Sequence, residues 1–131
     1  MQLSLSIFAL VAFLHSVAAD LEAQAGTSCG RTYYSSSDVD KASSAACDFV
    51  KEEETAGRSS YPHRYNNFEG FHFHGMDGPF YEFPILSSGR IYRGGRPGPD
   101  RVIITEDCEQ AGQITHSGAG GSSFVGCSGT D

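Results

Sequence analysis

Ser35-Ser36-Ser37-Asp38-Val39-Asp40-Lys41-Ala42-Ser43-Ser44-Ala45-Ala46-Cys47-Asp48-Phe49-Val50-Lys51-Glu52-Glu53-Glu54 is the stretch on which the fold turns. Val39, Ala42, Ala46, Phe49 and Val50 recur at three- and four-residue steps, which puts them on one face of a helix. The serines and Asp38 supply N-cap candidates and an acid in the first turn, and Gly57 follows the far end. The pattern predicts a helix of about five turns from Ser35 to Glu54. No other segment carries that period.

Beyond Gly57 the chain changes character. Short aromatic or β-branched runs cover Phe80 to Leu86, Arg101 to Thr105, Gln113 to His116 and Phe124 to Cys127, and they read as strands. Turn-rich stretches separate them: Ser87-Ser88-Gly89, Gly94 to Pro99, and Ser117 to Ser123. Connections this short suit antiparallel neighbours. The expected architecture is α+β, with one long α-helix packed on a central twisted antiparallel β-sheet. No repeat, linker or low-complexity tract divides the chain.

The first 19 of the 131 residues hold no Asp, Glu, Lys or Arg, and the apolar run from Ile7 to Leu14 precedes the small residues Val17-Ala18-Ala19. That is the pattern of a secretory signal peptide over 1–19. Further trimming to Ala23 would expose Gln24 and leave one domain over residues 24–131. The apolar run is well short of the roughly 20 residues that span a bilayer, so no membrane anchor is expected after processing. Losing Asp20 and Glu22 lowers the acidic count from 16 to 14 against 9 basic residues, a net charge of about −5. An acidic domain lacks the broad cationic footprint of a general nucleic-acid binder, so any RNA contact must be short and local.

Cys29, Cys47, Cys108 and Cys127 all survive processing, and an even number in a small secreted domain indicates two disulfides. Spacing alone permits three connectivities. No C-x-x-C pair occurs and no His stands at zinc-finger spacing, which argues against structural zinc.

Three segments carry groups with chemistry. Phe80-Tyr81-Glu82-Phe83-Pro84-Ile85 sets a carboxylate in an aromatic and aliphatic run, where a charge needs a partner unless the strand edge faces water. Asp100-Arg101 opens a later apolar run, and the next strand ends in His116 before a glycine-rich loop. Carboxylate, guanidinium and imidazole on one sheet face are the base, charge clamp and acid of metal-free phosphoryl transfer. Singly, Arg101 would pass for a surface ion pair and His116 for a structural histidine. The third segment, Ser60-Tyr61-Pro62-His63-Arg64-Tyr65-Asn66-Asn67-Phe68-Glu69-Gly70, mixes aromatics, amides and an acid at a strand-to-loop junction. Aromatics stack on bases, and a carboxylate accepts from guanine N1-H and N2-H2, which marks Glu69 as the candidate guanine reader. An ordinary Asn-rich turn would need only Asn66, Asn67 and Gly70.

Taken together, Ser-Tyr-Pro-His-Arg-Tyr-Asn-Asn-Phe-Glu-Gly-Phe from Ser60, Tyr-Glu-Phe-Pro-Ile from Tyr81, Pro-Asp-Arg-Val from Pro99 and Ile-Thr-His-Ser-Gly-Ala from Ile114 resemble the fungal extracellular guanyl-specific ribonucleases. The resemblance runs in order from Cys29 to Phe124-Val125-Gly126-Cys127. It implies a helix crossing an antiparallel sheet, with the active site on the other face and disulfides Cys29–Cys127 and Cys47–Cys108. It also implies a secreted endoribonuclease, a monomer needing neither metal nor other cofactor, that cuts single-stranded RNA after guanosine through a 2′,3′-cyclic phosphate. DNA, lacking the 2′-OH, would not be cut.

By the same resemblance Glu82 is the base, assisted by His63. His116 is the acid, Arg101 and Tyr61 hold the phosphoryl oxygens, and Phe124 lines that side. Guanine is expected between Tyr65 and Phe68, held by backbone around Asn66 and Asn67 and by Glu69, with Ser122 at the far edge. The chain departs from the family pattern at Phe68, Phe83 and Ser122-Ser123, and in placing Arg90, Arg93 and Arg96 shortly before Arg101, a strip able to draw RNA phosphates or simply a solvated loop. His72 and His74 alternate with Phe71 and Phe73 and read as an exposed strand edge rather than a metal pair. A secreted RNA- or protein-binding module on the same scaffold is the main alternative, but it predicts losses among Tyr61, His63, Glu82, Arg101 and His116, and all five are present. A ribotoxin would call for long basic insertions, which this short acidic chain lacks.

Overall fold

The computed structural model describes residues 26–131. The expected signal peptide and the trimming boundary lie outside the described residues. The chain opens with a hairpin of β1 (Thr27–Cys29) and β2 (Thr32–Tyr34), followed by the helix α1 (Ser36–Glu52). Strands β3 (His63–Tyr65), β4 (Phe80–Pro84), β5 (Asp100–Thr105), β6 (Gln110–Thr115) and β7 (Val125–Gly126) form one sheet in sequence order, each antiparallel to its neighbour.

The helix forms where its periodicity and caps place it. The Ser35 side chain accepts from the Asp38 N–H at 3.1 Å, and the Asp38 carboxylate accepts from the Ser35 N–H at 3.2 Å. Two orphan donors are thus satisfied reciprocally. The helix stops two residues short of Glu54 because Glu53 turns left-handed, at φ 55°, and its N–H closes on the carbonyls of Phe49 and Val50.

Period-two alternation divides the sheet into two faces. Phe83 of β4 and Val102 and Ile104 of β5 face the helix and pack with Val39, Ala42, Ala46, Ile85 and Tyr92. The intervening residues point the other way, where Tyr65, Phe73, Phe80, Ile103, Ala111 and Ile114 make a second cluster. That second face is only partly apolar, because Glu82 and Arg101 share it.

Of the three connectivities, the disulfides take Cys29–Cys127 and Cys47–Cys108. The first ties the hairpin to the chain beyond β7 across 98 residues. On the chain-entropy account a loop of that size contributes about 4 to 5 kcal/mol. The second ties α1 to the β5–β6 turn. Asp100, buried at the head of β5, accepts hydrogen bonds from the hydroxyls of Tyr34 and Thr115, so its charge is compensated. Burial, reinforced by Asp100, pushes the Tyr34 hydroxyl above its ordinary pKa.

Several boundaries differ from the sequence expectation. The sequence carries no signal for the β1–β2 hairpin, because its strands have three residues each and no hydrophobic alternation. β4 ends at Pro84, and Ile85 instead makes a single bridge to Ile91. β6 begins three residues before Gln113, since a register shift between Ile103 and Ile104 lets Ala111 bulge while Gln110 and Gly112 still pair. His116 falls just past β6, its N–H bonded to the Pro99 carbonyl. His72 and His74 are not a strand edge: a 3₁₀ turn covers Phe73–Gly75, with Phe73 buried and both Phe73 and His74 at positive φ.

Candidate active site

The register of the sheet assembles the polar face. His63 pairs with Glu82 across β3 and β4, and Arg101 pairs with Pro84 across β4 and β5. Three adjacent strands therefore deliver an imidazole, a carboxylate and a guanidinium to one spot. Glu82 Oε1 lies 3.4 Å from His63 Nε2 and 3.4 Å from Arg101 Nε. The carboxylate and guanidinium side chains are 9% and 3% exposed, so each charge depends on the other.

Arg101 is held in a fixed pose. Nη1 donates to the carbonyls of Gly98 at 2.8 Å and Asp100 at 2.9 Å, and Nη2 donates to the Tyr61 hydroxyl at 3.1 Å. With Nε directed at Glu82, four of the five guanidinium N–H groups are engaged and one on Nη2 remains. The guanidinium also sits 5.0 Å from the centroid of the Tyr61 ring and 5.9 Å from that of Phe124.

Both histidines are oriented through one nitrogen. His63 Nδ1 lies 3.0 Å from the Ser60 carbonyl and His116 Nδ1 lies 2.7 Å from the Ser123 carbonyl. A carbonyl only accepts, so each Nδ1 carries hydrogen and each Nε2 is left for chemistry. Rings fix the planes: Tyr61 stacks on His63 with centroids 4.6 Å apart, and His116 stacks on Phe124 at 3.9 Å. Tyr61 in turn rests edge-on against buried Tyr92.

The loop after β3 forms the other half of the site. Tyr65 is buried edge-on against Phe73 and Phe124, and its hydroxyl donates to Glu69 Oε1 at 2.6 Å. Glu69 Oε2 accepts from the Phe124 N–H at 2.9 Å. Burial alone would push the Glu69 carboxyl up. The bonds from Tyr65 and Phe124, with the nearby His116, outweigh it and hold the carboxyl below its ordinary range. Burial and the same bond push the Tyr65 hydroxyl well above its usual pKa. Asn67, at φ 54°, closes the loop by exchanging two 2.8 Å hydrogen bonds with the Phe71 backbone.

Tyr61, His63, Glu82, Arg101, His116 and Phe124 thus come together, and Phe124 links them to Tyr65 and Glu69. Phe68 does not pack on Tyr65; it stands out in solvent, 90% exposed. Asn66 and Ser122 are exposed on the same rim of loops. Residues passed over in the sequence also matter. The carbonyls of Ser60 and Ser123 orient the imidazoles, and Tyr92 props Tyr61. A backbone carbonyl carries no sequence signal, though Tyr92 in a glycine-rich turn was a visible one.

A carboxylate, two imidazoles and a guanidinium meet on the open face of a helix-backed sheet, and the comparisons place the chain in a family. The ribonuclease family model matches residues 22–128, and the chain belongs to that family. It is 60% identical over 102 residues to guanyl-specific ribonuclease Th1 of Trichoderma harzianum, covering 78% of this chain and 96% of that one. Guanyl-specific ribonuclease F1 of Fusarium fujikuroi is 54% identical over 127 residues, 96% of this chain and 94% of the relative. Among solved structures, ribonuclease He1 of Hericium erinaceus superposes with a TM-score of 0.57 at 37% identity, over 79% of this chain and 98% of that one.

Proposed function

We propose that the protein is a secreted endoribonuclease that cleaves single-stranded RNA on the 3′ side of guanosine without a metal ion or other cofactor. The observation that carries this reading is the contact of one buried carboxylate, Glu82, with both an imidazole and a guanidinium. The guanidinium keeps one N–H uncommitted.

Glu82, with His63 Nε2 beside it, takes the proton of the ribose 2′-OH, and the 2′-oxygen attacks phosphorus. The remaining Arg101 N–H and the Tyr61 hydroxyl hold the phosphoryl oxygens, where negative charge develops. His116 Nε2–H protonates the departing 5′-oxygen while Nδ1–H stays on Ser123, and Phe124 keeps the ring in place. A guanosine 2′,3′-cyclic phosphate forms. Water then attacks it, activated by His116 and with the proton returned from Glu82, to give the 3′-phosphate. DNA offers no 2′-OH and is left uncut.

Guanine stacks between Tyr65 and Phe68, with backbone groups of Asn66 and Asn67 along one edge and Ser122 at the far one. The exposure of Phe68 suits a ring that closes over a base. Glu69 accepts from N1-H and N2-H2. A carboxylate has about four acceptor positions, so it can do this while keeping Tyr65 and Phe124. The protein is exported through a leader ending at residue 19, with trimming to 23. The charge-free apolar run and the two disulfides support that compartment. Among the described residues no helix is long and apolar enough to cross a membrane, and the protein acts as a monomer.

Digestion of a defined single-stranded RNA in EDTA, with end-group analysis, tests the proposal. Fragments ending in guanosine cyclic or 3′-phosphate support it. An intact RNA replaces it with a module that binds RNA or protein without cutting.

A further inference from the structure

The segment Ser87 to Pro99 carries three arginines and no acid in a chain of net charge −7. Arg90, Arg93 and Arg96 are all exposed, but their surroundings differ. Gly89, beside Arg90, lies against Asp38: a Cβ there would stand 3.8 Å from its Oδ1. Arg93 shares a groove with Asp48 and Glu52 of α1.

Arg96 is placed differently. Its loop is pinned on both sides to groups of the phosphate site. On one side the Tyr92 hydroxyl donates to the Gly95 carbonyl at 2.7 Å, and the Tyr92 ring rests edge-on against Tyr61. On the other, Arg101 Nη1 donates to the Gly98 carbonyl at 2.8 Å. Two residues of chain span at most about 7 Å, so the Arg96 backbone is held close to the Arg101 guanidinium. The turn is built for this position. A Cβ on Gly57 would stand 2.5 Å from the Arg93 carbonyl oxygen, so the two loops meet backbone to backbone. Among the described residues Arg96, like Arg90 and Arg93, makes no ion pair or side-chain hydrogen bond, so what sets it apart is its place beside the Arg101 guanidinium.

We infer that Arg96 is a second phosphate contact, holding a phosphodiester adjacent to the scissile one in the same RNA strand. The inference rests on the ribonuclease reading and deepens it. Glu82, Arg101 and Glu69 grip one nucleotide and its 3′-phosphate, whereas Arg96 reads that the substrate is a polymer. A planar guanidinium suits a phosphate, and a single contact fits a domain too acidic for a broad footprint.

The test compares a guanylyl dinucleotide, with one phosphodiester, and a hexaribonucleotide with one internal guanosine. Arg96→Gln should lower the ratio of hexamer to dinucleotide kcat/KM severalfold at low salt. It should also flatten the plot of log kcat/KM for the hexamer against log salt by about 0.7, the share of one phosphate on a single strand. Lys41→Gln, the same charge change on the exposed side of α1, should leave the ratio where it was. An equal loss on both substrates, no change in the ratio, or an equal drop in Lys41→Gln overturns the inference. Binding of an uncleavable 2′-O-methyl hexamer separates it from the reading beneath it. If the protein cuts neither substrate yet Arg96→Gln flattens the salt dependence of that binding, the contact stands and the catalytic reading falls.

Discussion

The two faces of the central sheet use adjacent residues of the same strands for opposite ends. On β4 and β5, Phe83, Val102 and Ile104 are sealed against α1, while Glu82 and Arg101, one residue away, face the other direction and meet His63. The helix side is bonded mainly by area, through apolar contact with few polar groups among it, such as the hydroxyls of Ser43 and Tyr34. The other side sets beside its own apolar cluster a carboxylate and a guanidinium that are tolerable only together. Stability should therefore be concentrated on one face and chemistry on the other, with Glu82 and Arg101 as the residues where the separation leaks.

The largest expected effect lies on the polar face. On the proposed mechanism His116→Ala should cost about 10²- to 10⁴-fold in RNA cleavage, the usual worth of a positioned general acid. Its melting temperature should change little, because His116 is stacked at the surface on Phe124. Glu82→Gln should lose activity on the same scale but also cost stability, since Arg101 keeps its buried charge without a partner. Calorimetry alongside initial rates distinguishes the two variants.

On the helix face, Ile104→Ala should destabilise by about 2 to 5 kcal/mol through lost transfer energy and a cavity. The folded fraction should keep its specific activity. Denaturant melts with rates scaled to folded protein check this.

Glu69 gives a smaller and more selective effect. Glu69→Gln removes a charged acceptor from the proposed guanine pocket, worth about 1 to 3 kcal/mol, so preference for guanosine over other nucleotides should shrink roughly ten- to hundredfold. Its acid dependence follows from the lowered carboxyl. A depressed folded-state pKa contributes stability that is present above the unfolded value and is lost as pH falls through the folded one. The stability gap between the parent protein and Glu69→Gln should therefore narrow from neutral to acid pH.

The smallest effect tests the helix face for a flaw. Ser43 Oγ is buried without a hydrogen-bond partner among the described residues, so Ser43→Ala should be neutral or stabilise by about 1 kcal/mol. A loss beyond that range in a chemical melt would mean the hydroxyl has a partner.

The helix and the middle strands were legible because their signals are local: the Ser35–Asp38 cap, the Val39-to-Val50 spacing, the alternation around Glu82. The hairpin at Thr27 to Tyr34 was not, because its pairing depends on contacts made by the rest of the chain, including the Cys29–Cys127 bond. The left-handed backbone at Phe73 and His74 was also hidden, since bulky residues rarely adopt it and nothing in Phe-His-Phe-His announces it. In the site, residue types and order could be read, but not their mutual support. Glu69 and Phe124 are 55 positions apart, and their hydrogen bond exists only after the sheet has brought the last loop back over the β3 loop.

The most direct test of the two-face account is to measure unfolding free energy and guanosine-dependent RNA cleavage together for His116→Ala and Ile104→Ala. The account predicts a crossed result: His116→Ala keeps its stability and loses its cleavage, and Ile104→Ala loses stability while its folded molecules cleave normally. If both variants lose stability and cleavage in proportion, the faces are one energetic unit and the account is wrong.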